Sequence, residues 1–132
     1  MQIKPIEEII KKINEIKFQE GFDMIVAIAN GGIIPAAMVN QKLNIDFQII
    51  KINFKDENQQ PRYNEPKLLF PVNFTFYNQK ILLVDDRIKT GSTIKIAKQI
   101  LKDAKLIKTF AVNGNADYAL YNEDCFMFPW NL

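Results

Sequence analysis

Apolar and polar residues alternate with helical spacing in the first part of the chain. Five isoleucines would share one face of a helix, with glutamates and lysines between them: Ile6, Ile9, Ile10, Ile13 and Ile16. Pro5 suits the first turn of such a helix, and Gly21 suits its end. The pattern predicts an amphipathic helix that packs against a sheet.

Further along, unbroken apolar runs predict strands that are buried on both faces, as in a parallel sheet. Strand patterns cover residues 24–29, 45–54, 80–85 and 106–112, with a short one at 125–128. Helices are predicted between them, at 33–43 and 90–102. This alternation predicts a parallel α/β sheet flanked by helices. The 132 residues contain no repeat and no linker, so we expect one domain over 1–132.

The stretch 55–71 breaks this alternation. It is polar and contains three prolines, Pro61, Pro66 and Pro71. A loop of this length is uncommon in a compact domain unless it is a lid or a binding loop. We therefore expect a functional loop here.

Composition and charge narrow the classes of partner. Apolar residues make up 48% of the chain and charged residues 24%, as in an ordinary globular protein. The net charge of +2 gives no broad electrostatic reason to expect nucleic acid or a membrane surface as partner. No apolar run approaches the ~20 residues that span a bilayer, and the first residues lack the pattern of a signal peptide. The cytoplasm is therefore the expected location.

The cysteine and histidine counts narrow the chemistry. The chain has one cysteine, Cys125, and no histidine. An intrachain disulfide and histidine-based acid–base catalysis are excluded, and a zinc site of the Cys/His kind is nearly so. Any catalysis would use carboxylates, lysines, backbone dipoles or a hard metal ion.

The strongest chemical signal is the junction between the strand predicted at 80–85 and the helix that follows. Asp85 and Asp86 lie at the end of the strand, and Thr90-Gly91-Ser92-Thr93 begins the helix. Backbone N–H groups at a helix start bind anions, and a glycine lets the backbone approach a phosphate closely. The two carboxylates would repel a phosphate but can accept hydrogen bonds from vicinal hydroxyls. The junction therefore predicts a sugar-phosphate site.

Two other interpretations of this junction involve no sugar phosphate. In the first, Thr90 and Ser92 only cap a helix that follows a coincidental acidic pair. In the second, the chain is a phosphoacceptor receiver domain, in which Val-Asp-Asp also ends a strand. Too few residues follow Asp86 to complete such a domain.

The segment 81–93 resembles the phosphoribosyl pyrophosphate signature of type I phosphoribosyltransferases, which is an apolar strand, two acidic residues, three further positions and Thr-Gly-x-Thr. The resemblance implies a Rossmann-like parallel sheet with a flexible loop, here 55–71, and a small C-terminal hood. It implies that Asp85 and Asp86 hold the ribose, directly or through Mg²⁺. It also implies that the 5′-phosphate is held by the residues that follow: Arg87, Ile88, Lys89, Thr90, Gly91, Ser92 and Thr93.

The turn after the first predicted strand resembles the pyrophosphate loop of the same family. Asn30, Gly31 and Gly32 are followed by Ile-Ile-Pro-Ala, which matches the family's Gly-Gly-x-x-Pro-Ala pattern. The family's peptide that faces the pyrophosphate corresponds to Asn30–Gly31. Asn30 replaces the usual Arg or Lys, which should weaken the hold on the leaving group. Further candidates for pyrophosphate contact, each with a solvated basic surface as the alternative, are Lys51, Lys55 and Arg62.

Residues 125–130 resemble the end of xanthine- and guanine-type phosphoribosyltransferases, which close on Pro-Trp and cover the purine. Aligned on Pro129-Trp130, the usual stacking tryptophan falls on Cys125. Cys125 and Phe126 are thus candidate base-binding residues, and Phe128 is another candidate for stacking. A hydrophobic plug on the sheet edge is the alternative.

Three departures from the family concern the base. Lys89, which we count with the acidic pair as catalytic, stands where enzymes of 6-oxopurines usually carry an acidic residue near purine N7. Asn113 or Asn115 lies near the position of a lysine that bonds the exocyclic oxygen, and an amide can still bond a base edge. Asn131 follows Trp130, where an acidic residue is common.

The resemblance implies displacement of pyrophosphate from the anomeric carbon by a base nitrogen, with Mg²⁺ as cofactor. The expected partners are small molecules and a second copy of the chain, as a homodimer or higher oligomer. A second hypothesis is a non-catalytic relative that binds phosphoribosyl pyrophosphate or a nucleotide as a sensor, which Asn30, Lys89 and Asn113 favour. A third is an unrelated α/β binding module.

Overall fold

The fold is a mostly parallel sheet with helices on both faces. A computed structural model describes residues 2–53, 67–68 and 71–131. The strands are β1 (Met24–Ala29), β2 (Asp46–Asn53), β3 (Lys67–Leu68), β4 (Lys80–Ile88), β5 (Leu106–Gly114) and β6 (Tyr118–Tyr121). The helices are α1 (Ile6–Glu15), α2 (Ile33–Leu43) and α3 (Ser92–Ile100).

The strands form a six-stranded sheet in the order β3-β2-β1-β4-β5-β6. Neighbours from β2 to β6 pair in parallel, and β3 pairs with β2 in the antiparallel direction. The prediction of a parallel α/β sheet is confirmed. From the central pair, α2 leads outward to β2 and α3 leads outward to β5, so the chain reverses its direction between β1 and β4. Ligands of open α/β sheets bind at such a point, beyond the carboxyl ends of the strands.

Both faces of the sheet are covered, which explains the unbroken apolar runs. Leu82 and Val84 of β4 belong to the apolar cluster that contains residues of α1 and α2. Ile81 and Leu83 belong to the opposite cluster, with residues of α3. The helices of the described ranges have 9 to 11 residues. None of them is long and apolar enough to cross a membrane.

The observed elements differ from the predicted ones mainly at the ends of the central strands. The predicted bounds of β1 and α2 agree with the structure. β4 continues past the acidic pair to Ile88, and β5 continues to Gly114. These extra residues pair with each other, Arg87 with Asn113 and Ile88 with Gly114. Ladder pairing therefore extends the strands through polar residues whose pattern did not predict a strand.

Two other predictions about the elements were wrong. Residues 125–128 form no strand, because Met127 makes only an isolated bridge with Ile3. The edge strand is instead β6, whose four residues are too few to form a recognisable strand pattern in the sequence. The stretch 55–71 was predicted as loop throughout, but Lys67 and Leu68 form β3 against β2. Residues 54–66 lie outside the described part of the chain.

The carboxyl end of α1 is held by a lysine of α2. Nζ of Lys42 donates hydrogen bonds to the carbonyl oxygens of Ile13 at 3.2 Å, Asn14 at 2.9 Å and Ile16. Carbonyl groups at this end of a helix run out of intrahelical donors, and a cation there also complements the helix dipole. Lys42 therefore fastens α1 to the rest of the domain.

We expect Lys42→Met to lower the free energy of unfolding by about 1 kcal/mol, because the charged donor is lost while helix propensity is nearly unchanged. Chemical denaturation measures the effect. Lys95→Met, at an exposed position of α3, is the matched control. Equal losses in the two variants would contradict the assignment.

Candidate functional site

The two loops singled out in the sequence meet at the centre of the sheet. β1 and β4 are parallel neighbours, so the turn 30–32 and the turn after Asp86 lie at the same edge. A Cβ atom on Gly31 would lie 2.5 Å from a carboxylate oxygen of Asp86. A Cβ atom on Gly32 would overlap the carbonyl oxygen of Val84 and lie 2.7 Å from that of Ile28. Only glycine permits this close approach.

A cavity of about 250 Å³ lies at the turn between β4 and α3. Gly91 adopts a left-handed conformation with φ of 81°, and no atom lies within 4 Å of the position of a Cβ. The first turn of α3 forms one wall, so unpaired helix N–H groups are available to an anion. The cavity is lined by Asp85, Arg87, Ile88, Lys89, Thr90, Gly91, Ser92, Thr93 and Ile94.

The hydroxyl groups of this turn converge. Oγ1 of Thr90 lies 3.0 Å from Oγ of Ser92, and the backbone N–H of Ser92 donates to Thr90 Oγ1 at 3.3 Å. The N-cap of α3 is Gly91, and no side chain caps the helix, so the Thr90–Ser92 bonds belong to the turn before it. Both side chains are exposed, so the same donors are accessible to an anion.

The two acidic side chains have different neighbours. Asp85 lines the cavity, whereas Asp86 lies against Gly31. The Asp86 backbone N–H donates to Oδ1 of Asp85 at 2.8 Å. Burial, and secondarily the charge of Asp86, raise the pKa of Asp85 to about 8. The pair was predicted to grip one diol, but the structure aims only Asp85 at the cavity.

We expect Asp85→Asn to stabilise the ligand-free protein, and more so at pH 8 than at pH 5. Asp85 keeps its proton to about pH 8 in the folded chain but loses it near pH 4 when unfolded, so wild-type stability falls as pH rises through this interval. Asparagine cannot ionise, and its oxygen can still accept the Asp86 N–H.

Thermal unfolding at pH 5, 6.5 and 8, without divalent cations, measures this effect. Asp103→Asn, which removes an exposed carboxylate at the opposite edge of the sheet, is the control. A gain in melting temperature that does not change with pH would contradict the raised pKa.

The acidic pair fits a hard cation only in part. Carboxylate oxygens are the ligands that Mg²⁺ prefers. Within the described ranges, no group of three or more His, Cys, Asp or Glu side chains could hold a metal ion. Mg²⁺ commonly takes one or two carboxylates and completes its shell with water and substrate phosphates. The adjacent, partly buried carboxyl groups of Asp85 and Asp86 suit that kind of shared site.

The predicted pyrophosphate loop lies beside the end of β2. Asn30 is exposed, and the peptide bond before it, Ala29–Asn30, is cis, one bond earlier than the peptide implied by the resemblance. Lys51 pairs with Ala29 and lines a cavity of about 210 Å³ with Pro71 and Asn73. Arg62 and Lys55 lie outside the described residues.

A third cavity, of about 320 Å³, opens on the β5 side of the acidic pair. Lys89 is exposed and lines both this cavity and the one at the α3 turn. Cys125 is also exposed on its wall. The remaining lining residues are Arg87, Ile88, Asn113, Gly114, Asn122, Glu123 and Asp124. Sequence reasoning missed the polar wall 122–124, whose only signal is its position before Cys125.

Three predicted site residues make contacts within the protein. Phe126 is 2% exposed and packs edge-on against two other rings, so the structure does not support its predicted stacking on a base. Both polar atoms of the Asn113 amide bond the backbone of Glu123, each at 3.1 Å. Nη2 of Arg87 donates to the carbonyl oxygen of Phe126 at 2.6 Å. The guanidinium group is thereby directed to the C-terminal segment.

A doubly wound α/β protein with an anion cradle and an acidic pair at its switch point is the class that this geometry defines. The chain belongs to the phosphoribosyl transferase domain family, whose model matches residues 2–127. It is 27% identical to the xanthine-guanine phosphoribosyltransferase of Idiomarina loihiensis over 120 residues, which cover 86% of this chain and 73% of the relative. The predicted family and enzyme class are confirmed.

Solved structures show the same fold. The purine phosphoribosyltransferase from Pyrococcus horikoshii Ot3 superposes with a TM-score of 0.82 at 24% identity, covering 97% of this chain and 91% of that one. A hypothetical protein from Neisseria gonorrhoeae with bound ppGpp has a TM-score of 0.73 at 21% identity, covering 99% and 90%. At these identities the likeness concerns the fold alone.

Proposed function

We propose that the chain transfers the phosphoribosyl group of phosphoribosyl pyrophosphate to a purine-like base and releases pyrophosphate, as in nucleotide salvage. The observation that carries the proposal is the contact between Gly31 and Asp86 beside the cavity at Gly91. This contact supports the proposal because it brings a carboxylate and the β1 turn close to the cavity at the α3 turn, where a phosphate would be held. The names of the relatives support a purine as acceptor.

Each part of the substrate has a candidate set of residues. The 5′-phosphate would lie on the amides and hydroxyls of 90–93, with Lys89 near its rim. Asp85 would accept hydrogen bonds from the ribose hydroxyls. The pyrophosphate would lie towards Gly31 and Lys51. A base nitrogen would form the bond to the anomeric carbon as the bond to the pyrophosphate oxygen breaks. The protein would act mainly by positioning and by charge stabilisation.

Mg²⁺ is the proposed cofactor, held by Asp85 and Asp86 together with substrate oxygens. When bound, it would neutralise charge on the pyrophosphate and on the acidic pair. We further propose that residues 1–132 act as one domain, that the protein is cytoplasmic, and that two or more copies associate. The small-molecule partners would be phosphoribosyl pyrophosphate and a nucleobase or nucleotide.

Incubation with Mg²⁺, phosphoribosyl pyrophosphate and a panel of bases, with pyrophosphate release followed over time, tests the proposal. We expect release with at least one purine. Asp85→Asn/Asp86→Asn should lower kcat/KM by about 100-fold or more, because the groups that hold the sugar lose their charge. Asp103→Asn is the control. Wild-type protein that releases no pyrophosphate with any base would contradict the proposal.

A second candidate function is that of a nucleotide sensor. Two observations favour it: a cation, Lys89, stands at the base-side wall, and the Asn113 amide is occupied by Glu123. Position 89 thus lacks the acidic group that the family uses for the base, and the amide of Asn113 is not free to bond a base. Nucleotide binding without pyrophosphate release would select the sensor.

We expect Lys89→Asp to change which base is accepted, or to create purine transfer where the wild type has none. The substitution replaces a cationic donor by an anionic acceptor on the cavity wall. Initial rates across the same panel of bases measure the change, with Lys95→Asp on α3 as control. An unchanged order of preference would mean that Lys89 does not contact the base.

A further inference from the structure

One wall of the 320 Å³ cavity belongs to a segment with few regular backbone contacts. Residues 122–128, here the base-side segment, follow β6 and form neither strand nor helix, apart from the bridge at Met127. Positions 122–125 are exposed, whereas Phe126 and Phe128 are buried. Because no ladder fixes the exposed part, side-chain contacts must set its position.

Arg87 makes the first of these contacts. It follows Asp86 directly on β4, and its Nη2 donates to the carbonyl oxygen of Phe126 at 2.6 Å. Its guanidinium carbon lies 4.7 Å from the centre of the Phe128 ring, a cation–π distance. Nε of Arg87 is buried and has no hydrogen-bond partner among the described residues. The Phe126 bond therefore has to offset much of the cost of burying this charge.

Asn113 makes the second contact, from the neighbouring strand. It pairs with Arg87 in the β4–β5 ladder and is 3% exposed. Its Nδ2 donates to the Glu123 carbonyl oxygen and its Oδ1 accepts from the Glu123 N–H. The two bonds fix Glu123 as a strand partner would. Arg87 and Asn113 thus hold the base-side segment from two paired positions.

Lys4 holds the outer side of the same segment. Nζ of Lys4 lies 2.8 Å from Oε1 of Glu123, and the Lys4 backbone N–H donates to the Met127 carbonyl oxygen at 3.2 Å. Glu123 is half exposed, so the ion pair adds little energy. The part-buried hydrogen bonds of Arg87 and Asn113 are therefore the ones that determine the position of the cavity wall.

We propose that Arg87 and Asn113 are positioning residues for the base. Both line the cavity, but their hydrogen bonds go to the backbone of Phe126 and Glu123, and these bonds hold the base-side segment at a fixed distance from the acidic pair. The inference rests on the proposed function, because it assigns the 320 Å³ cavity to the base. Arg87 follows Asp86 in the chain, and Asn113 lies beside Arg87 on the neighbouring strand. A shift of either side chain would therefore move the cavity wall relative to the sugar.

Two ligands separate this role from a general structural one. Ribose 5-phosphate fills only the sugar-phosphate part, whereas GMP also fills the base part. Loss of the positioning contacts should weaken GMP binding about tenfold or more and ribose 5-phosphate binding less than about threefold. Trp130 is the single tryptophan and stacks on Phe128 at 5.1 Å, so its fluorescence reports the position of the segment.

The variants are Arg87→Met and Asn113→Leu, with Arg87→Lys as the conservative replacement and Lys80→Met, at the start of β4, as the control. Calorimetry with both ligands gives the affinities, and acrylamide quenching gives the exposure of Trp130. We expect Arg87→Met and Asn113→Leu to weaken GMP selectively and to increase quenching. Arg87→Lys should recover part of both effects, and Lys80→Met should match the wild type.

The proposal would be overturned if the variants bound GMP and ribose 5-phosphate equally more weakly, or if their GMP affinity were unchanged. It would also be overturned if the wild type bound GMP no more tightly than ribose 5-phosphate. If Arg87→Met or Asn113→Leu does not fold, the Arg87→Lys variant still tests the proposal. Its GMP affinity should be lower than that of the wild type, while its ribose 5-phosphate affinity should be unchanged. These binding measurements need no turnover. A failure of pyrophosphate release would therefore count against the proposed function alone.

Discussion

The close packing of the β1 turn on the end of β4 is the constraint on which the rest of the site depends. Gly31 lies against the Asp86 carboxylate, and Gly32 lies against the backbone of Val84. A side chain at position 31 would displace the Asp86 carboxylate, and one at position 32 would press on the backbone of both central strands. Because the two glycines allow this close packing, the acidic pair, the turn at Gly91 and the β1 turn meet at the crevice beyond the carboxyl ends of the two strands.

That crevice concentrates negative charge where a charged substrate would bind. The raised pKa of Asp85 shows the cost of placing a partly buried carboxyl group beside Asp86 without a compensating cation. In the ligand-free chain the cost is relieved by protonation. A metal ion or a set of ribose hydroxyls would relieve it in another way, so the burial and the repulsion that destabilise the empty site favour an occupied one.

The sequence allowed the central part of the fold and the position of the glycine turn between β4 and α3 to be predicted, because local patterns encode both. The apolar run of β1, the helix α2 and the turn at Gly91 each depend on residues that are neighbours in the chain. The base side depends on contacts between distant residues. Arg87 and Phe126 are 39 positions apart, and no local pattern indicates that an arginine after an acidic pair would contact the C-terminal segment.

The exposed stretch 122–125 is held in place by hydrogen bonds from Arg87 and Asn113, and this arrangement has an evolutionary consequence. Its side chains form the cavity wall, yet they contribute little to the apolar clusters that hold the sheet. Their chemistry can therefore change at small cost to stability, whereas a side chain at Gly32 would meet the backbone of both central strands. Proteins with this architecture could change the ligand that they recognise through substitutions at 122–125, at small cost to folding.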